Sequence, residues 1–173
     1  MKDEIFARIE WILTHEDANL RVRMMYMHET LIQICHEGVK ESRHNFGNLF
    51  AQVDHLCRKH GISVADTIEI QTARRHSNGR EKDVTEQDIR YDCRALAILT
   101  SSIFQCDIPS LLVGRIPVEG RQKPSARNID YRHLRGIAVV TAEDKGEVLS
   151  PYLLIRMEDG DISYMRLDQI SSI

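Results

Sequence analysis

Arg74, Arg75, Arg80 and Lys82 lie close together against a single acid, Glu81, for a local net charge of +3 (4 − 1). A second basic run, 115–135, holds Arg115, Arg121, Lys123, Arg127, Arg132 and Arg135 against Glu119 and Asp130, a net of +4 (6 − 2). These are local excesses in a chain whose formal net charge is −3. Arginine dominates both, and its planar fork of N–H donors matches phosphate. Brought together, the two runs would form a cationic strip for the DNA or RNA backbone, able to position a strand without reading its bases. The plainer alternative is a solvated helix end and a solvated loop.

The first run ends a stretch, LCRKHGISVADTIEIQTARRHSN (56–78), that has the outline of a helix-turn-helix. Cys57, Gly61, Ile62 and Ile70 fit the small and apolar positions of a DNA reader. His60 and Thr67 do not. Asp66 and Glu69 would face phosphate from the front of the second helix and repel it, while Arg74 and Arg75 come only at its far end. A helical hairpin inside a bundle fits these residues better than a base-reading element.

Other chemistries fare worse. His28-Glu29 and His36-Glu37 repeat a His-Glu pair, but HExxH would need a histidine at position 32, which is Ile32. Cys57 and His60 lack a matching second pair, so no zinc site is expected. No GxSxG, no GxxxxGK[ST] and no glycine-rich strand-to-helix turn occurs, and Glu158, Asp159 and Asp161 lack calcium-loop spacing. The sequence therefore predicts no catalytic machinery, metal or cofactor. Trp11 is a different kind of candidate. It lies about 200° around its helix from Ile9, on the side of Glu4 and Arg8. An indole there either anchors a partner or packs beneath another element.

These residues need elements to position them. Ile5, Phe6, Ile9, Ile12 and Leu13 mark a first helix over 3–13. Thr14 to Asp17 resembles a capping box opening a second helix, 17–37, with Leu20, Met24, Met27, Leu31 and Ile34 as its packed seam and Gly38 as its stop. Phe46, Leu49, Phe50, Val53, Leu56 and Cys57 form a wide third stripe that ends at Gly61. Ser63 caps a fourth helix, which dissolves in HSNGREKD (76–83). Thr85 caps a fifth, with Asp88 in the third position and Ile89, Cys93, Leu96, Ile103 and Phe104 on its buried side. PSLLVG (109–114) allows one more short turn.

Beyond that point the pattern changes. The 115–135 run has no apolar period and reads as a connector. GIAVVTA (136–142), YLLIRME (152–158) and DISYMRL (161–167) read as strands, the last two flanking the turn signal Asp159-Gly160. A two-residue loop would set Glu158 against Asp161, a repulsive pair that a longer loop relieves. Three strands are few for an independent sheet, so the unit either continues past Ile173 or rests on the helices.

The expected fold is α+β: a bundle of about five helices over 1–114, a basic connector at 115–130, and a small antiparallel β subdomain at 131–173, as a partial barrel or hairpin sheet. A chain of 173 residues with 42% hydrophobic and 28% charged content can support such a core without disulfides or metal. Cys35, Cys57, Cys93 and Cys106 form no CxxC pair, and the start, MKDEIFARIEWIL, is charged and helical. Both features suit a reduced cytoplasmic chain. The longest apolar stretch, ALAILTSSIF, falls far short of the roughly 20 residues that span a bilayer.

Across ARIEWILTHEDANLRVRMMYMHETLIQICHEG, NFGNLFAQVDHLCRKHGIS, YDCRALAILTSSIF, IPSLLVGRIPVEGR and IDYRHLRG, the chain resembles the region preceding the motor in large superfamily 1 DNA/RNA helicases of Bacteroidetes-type bacteria. The resemblance implies a non-catalytic accessory or regulatory module that contacts nucleic acid or the motor, with ATP hydrolysis elsewhere in a parent chain and strands 136–167 beginning a small barrel. No phosphate-binding loop, Walker B strand or arginine finger maps onto these residues. A helix-turn-helix regulator and a protein-interaction module anchored by Trp11 are the alternatives.

Overall fold

The computed structural model describes residues 1–43 and 46–121, and beyond them only the backbone of five extended segments, 134–140, 143–144, 147–148, 152–157 and 162–166. Residues 1–121 are helical and contain no strand among those described. Six α-helices follow in order: α1 (Lys2–Thr14), α2 (Leu20–Val39), α3 (Leu49–Lys59), α4 (Val64–Ser77), α5 (Glu86–Phe104) and α6 (Ser110–Val113), with a 3₁₀ turn at Glu81–Asp83 before α5. No helix among the described residues is long and apolar enough to cross a membrane. The β subdomain expected at 131–173, and the connector beyond Arg121, fall largely outside the described residues.

Local signals set most of the boundaries. The Asn48 side chain accepts from the Ala51 N–H at 2.8 Å and opens α3, and the Ser63 hydroxyl accepts from Asp66 N–H to open α4. Thr85 and Asp88 complete a reciprocal capping box at the start of α5, satisfying N–H groups that the first turn leaves orphaned. Gly61 ends the α3 region with φ of 64°, a left-handed conformation in which a Cβ is strained. The α5 terminus uses the same conformation without glycine, at Gln105.

Two expected boundaries are corrected. Thr14 does not open α2: its hydroxyl donates back to the Glu10 carbonyl within α1, and Asn19 is the cap, accepting from Arg21 N–H at 2.8 Å. Gly38 does not stop α2, which runs on to Val39. Its role is contact. A Cβ there would lie 2.6 and 2.8 Å from the Leu56 methyls and 3.1 Å from Ile103, so the missing side chain lets α3 and α5 approach α2 closely.

The core lies where α1, α2, α4 and α5 meet. Ile5, Ile9, Ile12, Leu31, Ile34 and Leu96 are fully enclosed or nearly so, in agreement with the expected seams of α1, α2 and α5. Ile103 and Phe104 are only half-buried at the end of α5. α1 packs on α5 closely enough that the Cys93 thiol reaches the Ile9 carbonyl at 3.9 Å. Cys35, Cys57 and Cys93 are buried free thiols and Cys106 is half-buried. Burial pushes the Cys35 and Cys93 thiols well above their ordinary pKa, which keeps them protonated and unreactive.

α4 departs from the usual amphipathic helix. Seven consecutive residues, Thr67 to Ala73, are all buried. At about 100° per residue, seven positions sweep nearly two turns, so the middle of α4 is enclosed on every side. Yet Thr67, Glu69, Gln71 and Thr72 are polar. This buried polarity organises the site described next.

Candidate functional site

A charge cluster fills the cleft between α4 and α5. Glu69 of α4 and Asp92 of α5 are 2% and 0% exposed, and ionised carboxylates at such depth need counter-charge. Arg121 supplies it. Its Nη1 lies 2.5 Å from Glu69, and its Nη2 lies 3.0 Å from Asp88 and 3.1 Å from Asp92. Its backbone N–H donates to the second Glu69 oxygen at 2.9 Å, and its guanidinium sits 4.9 Å from the Tyr91 ring centroid. His76, in the last turn of α4, meets the other Asp92 oxygen through Nδ1 at 2.7 Å. Asp92 is thus shared between an imidazole and a guanidinium.

The electrostatics follow from that packing. Burial alone would lower the Arg121 pKa, but Asp92, Glu69 and Asp88 together outweigh it and hold the group above its usual value. Burial alone would raise the Asp88 carboxyl. The Thr85 backbone N–H, His76 and Arg121 reverse this and hold it below its usual value. Arg94 extends the cluster, pairing with Asp66 at 3.0 Å and donating weakly to the Val118 carbonyl at 3.4 Å.

The cations expected to form a strip have different neighbours. Arg121 is turned inward. Arg74 lies over the Phe50 ring of α3, 5.4 Å from its centroid, and its Nε donates to Gln71, while Arg75 beside it is half-buried. Arg80 is exposed and pairs locally with Asp83 at 3.2 Å. Lys82 is exposed in the 3₁₀ turn. Arg115 sits beside α1, 4.0 Å from Glu10. Lys123, Arg127 and Arg132 lie outside the described residues, as does the side chain of Arg135. Among the described members, Arg74, Arg115 and Arg121 therefore attach to three different parts of the bundle.

The helix-turn-helix outline is present as α3, Gly61 and α4, but the second helix is enclosed. A recognition helix needs a free face to lie in a groove, and the middle of α4 offers none.

Trp11 marks a second site of opposite character. It is half-buried, stacked on His15 at 4.5 Å between centroids and edge-on to Tyr26 of α2 at 4.7 Å. Ala7, Arg8, Trp11 and Tyr26 line a depression of about 290 Å³. α2 exposes Val22, Met25, Tyr26 and Ile32, each more than 40% accessible. Val22 and Tyr26 lie opposite its Met24, Met27 and Leu31 seam, with Met25 and Ile32 on one flank.

Sequence reasoning missed Glu69, His76, Asp88, Asp92 and Arg23. Asp92 sits inside the buried stripe of Ile89, Cys93 and Leu96, and Glu69 between Ile68 and Ile70, so an acid within an apolar period was the available signal. Arg23, 1% exposed, donates from Nε to the Ile12 carbonyl at 2.8 Å and pairs with Glu86. It thus supplies the positive charge at the α1 C-terminus that α1 itself lacks.

The chain matches no protein-family model, no curated protein and no solved structure. Among the described residues, no group of three or more His, Cys, Asp or Glu side chains is arranged to hold a metal ion.

Proposed function

We propose that this chain is a non-catalytic accessory module of a nucleic-acid-processing helicase, and that it docks on the motor through the α1–α2 face. The observation that carries this reading is the aromatic pair of exposed Tyr26 and half-buried Trp11, which line a surface depression with Ala7 and Arg8. Exposed aromatic and thioether side chains grouped beside a shallow depression are the usual anchors of protein interfaces. The partner class is taken from the sequence resemblance alone. The inward fate of Arg121 and the enclosure of α4 favour a protein partner over a direct hold on nucleic acid.

Within this reading, a small antiparallel β unit follows the helices. Backbone pairing of Ile137 with Ile155 and of Leu154 with Tyr164 supports it. The described pairing ends at Arg156 with Ile162, and Glu158 to Asp161 lie outside the described residues.

Titration calorimetry of the chain against the motor region of the parent protein tests the proposal. Binding is expected, and Trp11→Ala should weaken it at least about tenfold, as loss of an interface anchor does. No binding, or binding indifferent to Trp11→Ala and Tyr26→Ala, would overturn it.

A second reading, direct contact with the nucleic-acid backbone, keeps Arg80 and Lys82 as exposed cations. Together with Lys123, Arg127, Arg132 and Arg135 they would engage about six phosphates and give a log–log salt slope of roughly −5 on duplex DNA.

A further inference from the structure

Residues 115–121 return across the bundle after α6 and end with Arg121 in the α4–α5 cleft. Three observations show that this segment is fitted to its seat. A Cβ on Gly120 would stand 3.1 Å from Glu69 Cγ and 3.2 Å from Arg94 Nη1. The Val118 carbonyl accepts from Arg94, and Arg121 donates from both its backbone and its guanidinium to Glu69. By contrast, the middle of the segment has little to hold it: Val118 is 93% exposed and Glu119 is exposed as well. Ile116 packs partly buried against the core and bonds back to Leu112, so the segment is anchored at its start; beyond Ile116 the attachment is polar and concentrated at Arg121.

We propose that 117–121 is a strap hinged beyond Ile116 and clamped by Arg121, one that lifts as a separate unit while α1 to α5 stay folded. Its seat is formed by Glu69 and His76 from α4, and by Asp88, Tyr91, Asp92 and Arg94 from α5. Because few apolar contacts hold the strap, its opening is governed by the fit of one guanidinium fork among three carboxylates. Lifting it bares the α4–α5 cleft. Arg121 is a positioning residue in this device. The inference does not depend on the identity of any partner.

Native-state hydrogen exchange on the full chain tests it. In the wild type, the Gly120 and Arg121 amides should exchange at least about tenfold faster than the Ile70 and Leu96 amides, through an opening smaller than global unfolding. They should still be protected at least about a hundredfold relative to an unstructured peptide. Arg121→Lys keeps the charge but loses the fork, so it should speed strap exchange by a further tenfold or so, and core amides that exchange only through global unfolding by no more than the same factor, since both openings start from the weakened closed state. Cleavage after Glu119 by a glutamate-specific protease should accelerate in parallel. The wild-type comparison needs no variant to fold. Strap amides that exchange only with the core, or that show no protection, would overturn the proposal, as would an Arg121→Lys chain whose strap amides fail to accelerate.

Discussion

On the α4–α5 side of the molecule, charge is buried and matched: three carboxylates and an imidazole close around Arg121, and polar side chains fill the middle of an enclosed helix. On the α1–α2 side, apolar groups remain at the surface: Trp11 and Tyr26 meet edge to face, with Val22, Met25 and Ile32 exposed along the same helix. Each region inverts the usual arrangement of apolar inside and charged outside. The comparison separates two kinds of constraint. Matched buried charge fixes how the elements of this chain meet, because moving any member leaves another without its partner. Exposed apolar surface does nothing for the isolated fold and gains its free energy only when something covers it.

Substitutions should divide along the same line. Arg121→Ala should have the largest effect, since it leaves Glu69 and Asp92 without their guanidinium. A loss of about 3–5 kcal/mol in urea unfolding is expected, and a loss below about 1 kcal/mol would mean that the carboxylates reach water. Acid should act on the same cluster. Because the Asp88 carboxyl is held below its usual value, its contribution is fully present above the ordinary carboxylate range and is lost as pH falls through the lower folded value. Asp88→Asn should therefore flatten the acid limb of the stability profile.

Trp11→Ala is expected to cost no more than about 1.5 kcal/mol of stability, the scale of an aromatic pair, while removing partner binding. A melting temperature that collapses would place Trp11 with the core and break the comparison. The Thr67 hydroxyl oxygen is buried without a hydrogen-bond partner, so Thr67→Val should stabilise the chain by about 1 kcal/mol. Its failure to do so would show that α4's polarity is better satisfied than its contacts indicate. Arg80→Ser with Lys82→Ser should change stability by less than about 0.5 kcal/mol, as exposed charges do, and so isolates any role these side chains have in backbone contact.

What could be read from the sequence was what is local. The Thr85–Asp88 box, the Ser63 cap, the Gly61 terminator and the α5 stripe depend on residues within a turn or two of each other. The Asn19 cap was also local, but Thr14 to Asp17 presented a competing pattern five residues earlier, and only the packing of α1 against α2 decides between them. Gly38 resembled a stop because glycine usually serves as one; its close approach to Leu56 and Ile103 depends on two other helices. Arg121 was expected to meet phosphate as part of a cationic strip, and the structure instead turns it inward. The anions proved to be Glu69, Asp88 and Asp92, the first of them 52 positions away, and no periodicity reports a pairing of that kind.

The packing of α1 against α5 also sets an order of events during synthesis. α1 leaves the ribosome well before α5, its main neighbour, which ends at Phe104, so the apolar side it turns to α5 must wait while most of the bundle is made. Arg121 emerges later still. The nascent chain thus carries an uncovered greasy helix early and uncompensated acids late, the stretch of its life in which a chaperone has most to do.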